Sequence, residues 1–484
     1  MELKEKGRNA IKWSLIEKFF KRGITFVISI FLARLLDPSD FGLVAICSFF
    51  TAFAEVLNSF GLGQAIVQRN DVDNIQLNTV FYINFVLSVV MVTVLWFSAP
   101  FISDFYGNPL VTDIIRVLSL GFIFGAFDMV NRSLLNKHLR FSVFAKAMLI
   151  SSASSGTIAV FLAFGGAGVW SLVLYGLSAS FINTICIIFM SDWRPGLQFR
   201  LKSMNKLWKT GVGFLNIGII NNVIDRVDTL FIGKIFNESM LGFYNRAKSL
   251  QELPQYTLIL PVTRPMFPIF SQIQNDKQQF YNTFKVTVSM LFFLVMLIFG
   301  LLLLNADNLI IIVYSSKWTE SIPFFQILLF LLPILPLNVM TTSMLKGVGR
   351  LRLLTLITVL DRFSVFIALP FGYYLGLKEY AVVFVFCKYL VFFIRIYLLQ
   401  KKVGLKAFVI FQILSRISLV FLVSFVPILI FISISNIYLD TIVNTIVFTT
   451  VFFGLSHVLK IKGYQYFMAE VVGFIKPVFK KWNK

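Results

Sequence analysis

Cysteine and histidine are nearly absent from this chain: Cys47, Cys186 and Cys387 are its only cysteines, His138 and His457 its only histidines, in 484 residues. The cysteines sit inside apolar segments without paired spacing. That excludes a disulfide framework or a zinc-binding pair and leaves them as small apolar side chains. The two isolated histidines offer no metal site. Charge is scarce as well: Asp, Glu, Lys and Arg make up 14% of the chain against 57% apolar residues, too little to cover a soluble domain. A cleavable leader is not expected, because MELKEKGRNAIKW (Met1 to Trp13) runs into a long apolar stretch with no small-residue cleavage site.

What is abundant is apolar sequence. Runs such as SMLFFLVMLIFGLLLL (Ser289 to Leu304) are hydrophobic on every face, which fits membrane helices and not the alternating strands of a β-barrel. The pattern predicts an all-α integral membrane protein of about fourteen transmembrane helices, since about 20 helical residues cross the hydrocarbon core. Their expected positions are 12–35, 41–67, 77–102, 111–135, 142–164, 168–190, 204–235, 241–270, 281–304, 320–345, 351–375, 380–400, 406–433 and 440–459.

The net charge of +21 is spread over short loops and the tail, so membrane topology explains it and no nucleic-acid partner is expected. Scored on alternate loops, one side collects Lys4, Lys6, Arg8, Arg140, Arg200, Lys277, Arg350 and Lys402 among others, whereas loops on the opposite side hold only Lys317 and Lys378, with Arg34, Arg116 and Lys234 at nearby helix ends. Both termini are then expected on the cytoplasmic side. The tail carries Lys462, Lys476, Lys480 and Lys481 among Tyr464, Phe467, Phe474 and Trp482. It reads as a basic amphipathic segment lying on anionic membrane lipid.

An internal repeat is visible near an offset of 200 residues. Leu32 to Gly42 (LARLLDPSDFG) corresponds to Ile232 to Gly242 (IGKIFNESMLG), with basic, acid-or-amide, Ser and Gly positions in step. A second echo pairs Leu135 to Phe141 (LNKHLRF) with Leu345 to Leu351 (LKGVGRL). The expected organisation is an N-terminal lobe of helices 1–6 (1–203), a parallel lobe of helices 7–12 (204–403), an added pair of helices (404–460) and the tail (461–484).

Four stretches carry a family resemblance: ARLLDPSDFGLVAI (Ala33 to Ile46), FGLGQAIVQR (Phe60 to Arg69), DRVDTLFIGKIF with LGFYNRAKSL (Asp225 to Leu250), and LKGVGR (Leu345 to Arg350). In them the chain resembles the bacterial Wzx-type polysaccharide flippases, in the colanic-acid and teichuronic-acid exporter branch of the multidrug/oligosaccharidyl-lipid/polysaccharide exporter superfamily. The resemblance implies a two-lobed bundle in the bacterial inner membrane that moves an oligosaccharide linked to undecaprenyl pyrophosphate from the inner to the outer leaflet. It further implies no cofactor, coupling to a proton or sodium gradient, and polymerase and export machinery as protein partners.

Such a cargo needs cations and hydrogen-bonding side chains at membrane depth, because a pyrophosphate in bare hydrocarbon carries a prohibitive desolvation cost. In the first helix Lys18, Lys21 and Arg22 are candidates for holding phosphate. In the second, Ser48, Thr51, Glu55 and Asn58 share one face and suit a cavity wall. In the seventh, Asn221, Asp225 and Asp228 share a face beside Asn222 and Arg226. That stripe fits a substrate or ion site, or an Asp–Arg network locking the lobe. Lys248 and Arg264 belong to the eighth helix, which also has Pro254, Pro261, Pro265 and Pro268 and is expected to bend. Asp128, Asp225, Asp228 and Glu55 are the carboxylates able to exchange a coupling ion, although Asp128 has Arg132 one turn away as a partner. Asp361, Arg362, Lys388 and Arg395 are expected to pair structurally.

The expected activity is alternating access around a cationic central cavity, without covalent chemistry. A coupled exporter of small amphiphiles and a peptidoglycan-precursor flippase remain open beside it, as does a passive scramblase. A polytopic polymerase or ligase would need a larger external loop than Asn305 to Thr319, whose only charges are Asp307 and Lys317.

Overall fold

The structure, a computed structural model, describes residues 20, 22–69, 71–204, 208, 226–405, 407–430 and 436–469. Among them ten helices are long and apolar enough to cross a membrane: Pro38–Asn58, Asn74–Tyr106, Leu110–Lys137, Phe141–Phe164, Val169–Met190, Lys277–Leu304, Leu351–Leu375, Leu377–Val403, Ala407–Ile428 and Ile437–Val458. Each corresponds to one expected span. The expected span at 12–35 is described at residue 20 and from residue 22 on, where it is helical to 35, and the expected span at 204–235 falls largely outside the described residues, which are helical at Val227–Ile235.

The expected spans at 241–270 and 320–345 are interrupted. Glu238–Pro254 gives way to a π-helical turn, Gln255–Ile259, and then to the short helices Leu260–Thr263 and Met266–Gln272. Pro254, Pro261 and Pro265 each lack the amide that would continue the ladder, so the helix breaks instead of merely bending. Ser321–Leu329 and Leu335–Gly347 are separated by turns around Pro333 for the same reason.

The chain packs as two units, Met1–Phe243 and Tyr244–Lys484. The first contains α1 (residues 22–35), α2 (Pro38–Ser59), α3 (Leu62–Gln68), α4 (Asn74–Tyr106), α5 (Leu110–Ser119), α6 (Gly121–Lys137), α7 (Phe141–Phe164), α8 (Val169–Met190) and α9 (Val227–Ile235), and ends in the first turns of α10 (Glu238–Pro254). Local sequence sets several of these ends. Asp73 caps α4 by accepting from the Gln76 amide at 2.7 Å, and Gln76 accepts from the Asp73 amide at 3.2 Å. This reciprocal pair satisfies two of the free amides at the helix start. The buried positions of α7 include Ala145, Ala147, Ser151, Ser152, Ser155, Gly156, Ala159 and Ala163. In a membrane, close contact between small residues takes over the role that hydrophobic burial has in water; α7 packs closely on α8, and at Gly156 on Ile28 of α1.

Both sequence echoes recur as local structure. Asp37 and Asn237 each stand just before a helix: the Asp40 side chain accepts from the Asp37 amide at 3.1 Å, and Asn237 accepts from the Met240 amide at 2.8 Å. The two helix starts then meet. A Cβ on Gly42 would fall on the Glu238 carbonyl, and a Cβ on Gly242 would fall on the Pro38 carbonyl. Glycine at both positions is what allows the backbones so close.

The second echo closes two helices with one turn. The Arg140 amide donates to the Leu135 carbonyl at 2.9 Å, and the Arg350 amide to the Leu345 carbonyl at 2.9 Å. Gly349 occupies the left-handed position of its turn, but Leu139 holds the matching position at φ 58. A left-handed L-residue costs about 1–2 kcal/mol, and Leu139 is exposed, so little packing offsets it. Leu139→Gly is therefore expected to raise stability by about 1 kcal/mol, read as a higher midpoint of thermal unfolding in detergent.

The second unit is built on phenylalanine. Phe270, Phe280, Phe284 and Phe392 share one core with Leu337, Met340 and Ile396. The ring of Phe448 covers Gly300, where a Cβ could not be accommodated. Cys47 and Cys387 are buried, and all three cysteines are free. Lys388 pairs with Asp361 at 2.9 Å, and buried Arg395 donates to the Asn338 carbonyl at 2.7 Å and to Thr341 Oγ1 at 2.9 Å.

Candidate functional site: a polar cavity in the first unit

Within the first unit the helices leave a cavity of about 1020 Å³. Most of its polar wall comes from five segments, with α5, α7 and α8 adding Leu118, Phe144 and Ser180. α2 contributes Ser48, Thr51, Glu55 and Asn58, α3 contributes Gln64 and Gln68, α4 contributes Asn84, α6 contributes Asp128, Arg132, Ser133 and Asn136, and Arg226 stands just before α9. Gly121 and Gly125 of α6 have open space where a Cβ would be, which keeps that wall thin. Polar groups on membrane helices settle on cavities and bundle interiors because lipid offers them no partner.

A hydrogen-bonded chain organises the charge. Asp128 is 1% exposed, and its Oδ2 accepts from Arg132 Nη2 at 2.7 Å. The Thr184 hydroxyl, on α8, lies 3.0 Å from the same oxygen. Arg132 Nη2 also donates to Asn183 Oδ1 at 2.5 Å, and Asn183 Nδ2 donates to Ser151 Oγ of α7 at 3.2 Å. Asp128 of α6 and Asn183 of α8, the latter braced from α7, thus hold one guanidinium, yet its side chain remains 43% exposed where it lines the cavity. A cation oriented by fixed partners and still open on one side is suited to binding an anion.

Opposite, Ser88 donates to Asn58 Oδ1 at 3.0 Å, tying α4 to α2 at a buried point. Arg226 donates to the Ser48 carbonyl at 3.4 Å. Glu55 is exposed to the cavity. The described lining therefore sets two carboxylates, Glu55 and Asp128, against two guanidiniums, Arg132 and Arg226. Among the described lining residues charge is balanced and amides are numerous.

Of the residues singled out from sequence, the structure brings Ser48, Thr51, Glu55, Asn58, Asp128 and Arg226 to this one cavity. Asp228 is buried at the start of α9, with its Oδ1 2.9 Å from the Thr229 amide. Arg22 lies half-buried on α1. Lys248 and Arg264 belong to the second unit: Lys248 Nζ stands 5.9 Å from the centre of the Tyr244 ring, and Arg264 is exposed between two short helices. Lys18, Lys21, Asn221, Asn222 and Asp225 lie outside the described residues. Among the described residues no group of three or more His, Cys, Asp or Glu is placed to hold a metal ion.

Sequence reasoning did not single out Gln64, Gln68, Asn84, Ser133 or Asn136, and it named Arg132 only as a partner. Arg132 reads as the local partner of Asp128, which it is, and its open side is visible only in three dimensions. Asn84 is a lone amide in an apolar helix; its spacing of one turn from Ser88 was the available signal.

Comparison with known proteins places these features in context. The family model of polysaccharide biosynthesis proteins matches residues 31–323. The lipopolysaccharide biosynthesis protein WzxC of Escherichia coli (strain K12) is 28% identical over 338 residues, covering 68% of this chain and 67% of that protein. The teichuronic acid biosynthesis protein TuaB of Bacillus subtilis (strain 168) is 24% identical over 331 residues, 66% of each. The chain thus spans about two thirds of the length of these relatives. Among solved structures, the lipid II flippase MurJ in an inward closed conformation shares the fold with a TM-score of 0.73 at 17% identity, over 92% of this chain and 99% of that one. An inward-facing multidrug resistance MATE family transporter of the MOP superfamily shares it with a TM-score of 0.58 at 14% identity, over 78% and 92%.

Proposed function

We propose a function from one premise: the chain belongs to the family of polysaccharide biosynthesis proteins. It is a multi-pass membrane protein related to bacterial polysaccharide exporters, a transporter and not an enzyme. Its cargo, on our reading, is an oligosaccharide linked to undecaprenyl pyrophosphate. The protein carries that headgroup from the cytoplasmic to the outer leaflet of a bacterial inner membrane while the isoprenoid tail stays in lipid. Both termini stand in the cytoplasm, and polymerase and export machinery receive the product.

The observation that carries this reading is the cavity itself. A chain that is 57% apolar sets five carboxamides and a half-open guanidinium around about 1020 Å³. Amides exchange hydrogen bonds with sugar hydroxyls, and the guanidinium suits the phosphates, so the pair replaces the hydration that the headgroup gives up. Exposing the cavity alternately to the two sides would complete a transport cycle. A proton or sodium ion taken by a lining carboxylate, Asp128 or Glu55, would couple the cycle to a gradient.

Reconstitution tests the proposal. In proteoliposomes carrying a fluorescent lipid-linked oligosaccharide, the protein is expected to speed the exchange of that lipid between leaflets, and an imposed proton or sodium gradient to bias its direction. Exchange at the protein-free rate under every gradient would overturn the reading.

A further inference from the structure

We infer that Asn84 is the residue of this cavity that reads the hydroxyl groups of the glycan, an inference that rests on the function proposed above. Asn84 and Ser88 stand one turn apart on the same face of α4. Ser88 is satisfied, because its hydroxyl donates to Asn58 Oδ1 at 3.0 Å. Asn84, by contrast, is 2% exposed, lines the cavity, and has a sealed Oδ1 with no hydrogen-bond partner among the described residues. A buried amide oxygen left without a partner destabilises the fold that contains it, and at the wall of a cavity a role in binding explains its presence where packing does not.

The chemistry of the orphan narrows its ligand. Oδ1 is an acceptor and needs a donor. Phosphate oxygens supply acceptors only, and an isoprenoid chain supplies neither. Ring hydroxyls supply both a donor and an acceptor, so they can meet whichever end of the carboxamide a half-turn about χ2 turns to the cavity, whereas phosphate oxygens can meet only the NH2 end. The neighbouring carboxamides Gln64 and Gln68 line the same cavity and extend the matching surface. The phosphates then belong to Arg132, across on α6, and the hydroxylated sugar belongs to Asn84.

Asn131 supplies a control. It is also 2% exposed with an unpartnered Oδ1, but it is not part of the cavity wall. The experiment compares wild type, Asn84→Leu and Asn131→Leu as full-length protein in nanodiscs. Each is titrated with an undecaprenyl-pyrophosphate oligosaccharide and with undecaprenyl pyrophosphate lacking sugar. Asn84→Leu is expected to weaken binding of the glycan lipid about ten-fold or more while leaving the sugar-free lipid unchanged, with thermal stability equal to or above wild type. Asn131→Leu is expected to bind both as wild type does. Equal weakening for both lipids, no weakening for either, or the same selective loss in Asn131→Leu would overturn the inference. Should the leucine variant fold poorly, Asn84→Ser is scored by the same ratio. Failure of the proposed function is read separately, as absence of leaflet exchange by the wild-type protein.

Discussion

Replacing Arg132 by methionine is expected to reduce transport at least about ten-fold and to destabilise the protein by about 3 kcal/mol. The two losses have different origins. Stability falls because Asp128 is 1% exposed and Arg132 Nη2 at 2.7 Å supplies its counter-charge; removing one partner strands a buried carboxylate. On the proposed function, transport falls because Arg132 is the half-open cation that would meet the phosphates of the cargo. The double variant Asp128→Asn, Arg132→Met separates them. With no buried charge left, and with the Thr184 hydroxyl still able to donate to the new amide oxygen, stability is expected to return to within about 1 kcal/mol of wild type while transport stays lost. Thermal unfolding in detergent and leaflet exchange in proteoliposomes provide the two readouts. Recovery of transport by the double variant would mean that Arg132 serves the fold alone.

A comparable loss of stability is expected where α2 crosses the start of α10. Gly42→Val would set a branched side chain against the Glu238 carbonyl. Backbone atoms in the first turn of a helix have no rotamer by which to retreat, so the helices must separate, at a cost of about 3 kcal/mol or more. Gly242→Ala, whose Cβ would fall on the Pro38 carbonyl, is expected to behave alike. Gly454→Ala is the contrast, since that helical position has open space beside it and no left-handed φ; alanine there is expected to gain up to about 1 kcal/mol. The midpoints of thermal unfolding should therefore order as Gly454→Ala, wild type, then the two crossing variants. A Gly42→Val protein as stable as wild type would remove the crossing from any account of the fold.

The spans were legible in sequence because lipid enforces them. A stretch such as Ser289 to Leu304 can do little else than cross a membrane as a helix. The interrupted spans were less legible. Four prolines between 254 and 268 announced a bend, but whether a helix bends or breaks depends on which neighbours satisfy the freed carbonyls. In the site, Glu55, Asn58, Asp128 and Arg226 stood out as charges and amides inside apolar stretches, a one-dimensional signal. Their convergence was not visible, since it depends on how α2, α6 and the segment before α9 are stacked. Arg132 shows the same limit: its i,i+4 spacing from Asp128 accounts for one contact and hides the open face. The balance of charge on the wall could not be read either, because it depends on which basic residues turn inward.

The crossing at Gly42 and Gly242 has a consequence for ancestry. Pro38 meets Gly242 and Glu238 meets Gly42, so each partner of one contact is displaced by 200 positions in the other. Exchange of roles between two copies of one segment is the mark of an isologous interface, the kind made around a two-fold axis by identical subunits. A half-length ancestor pairing with itself would have made this contact twice with a single glycine. In a chain descended from such a pair, that one requirement would be written at two codons. Each can then drift alone, but neither can accept a side chain without spoiling the symmetry that the other still keeps.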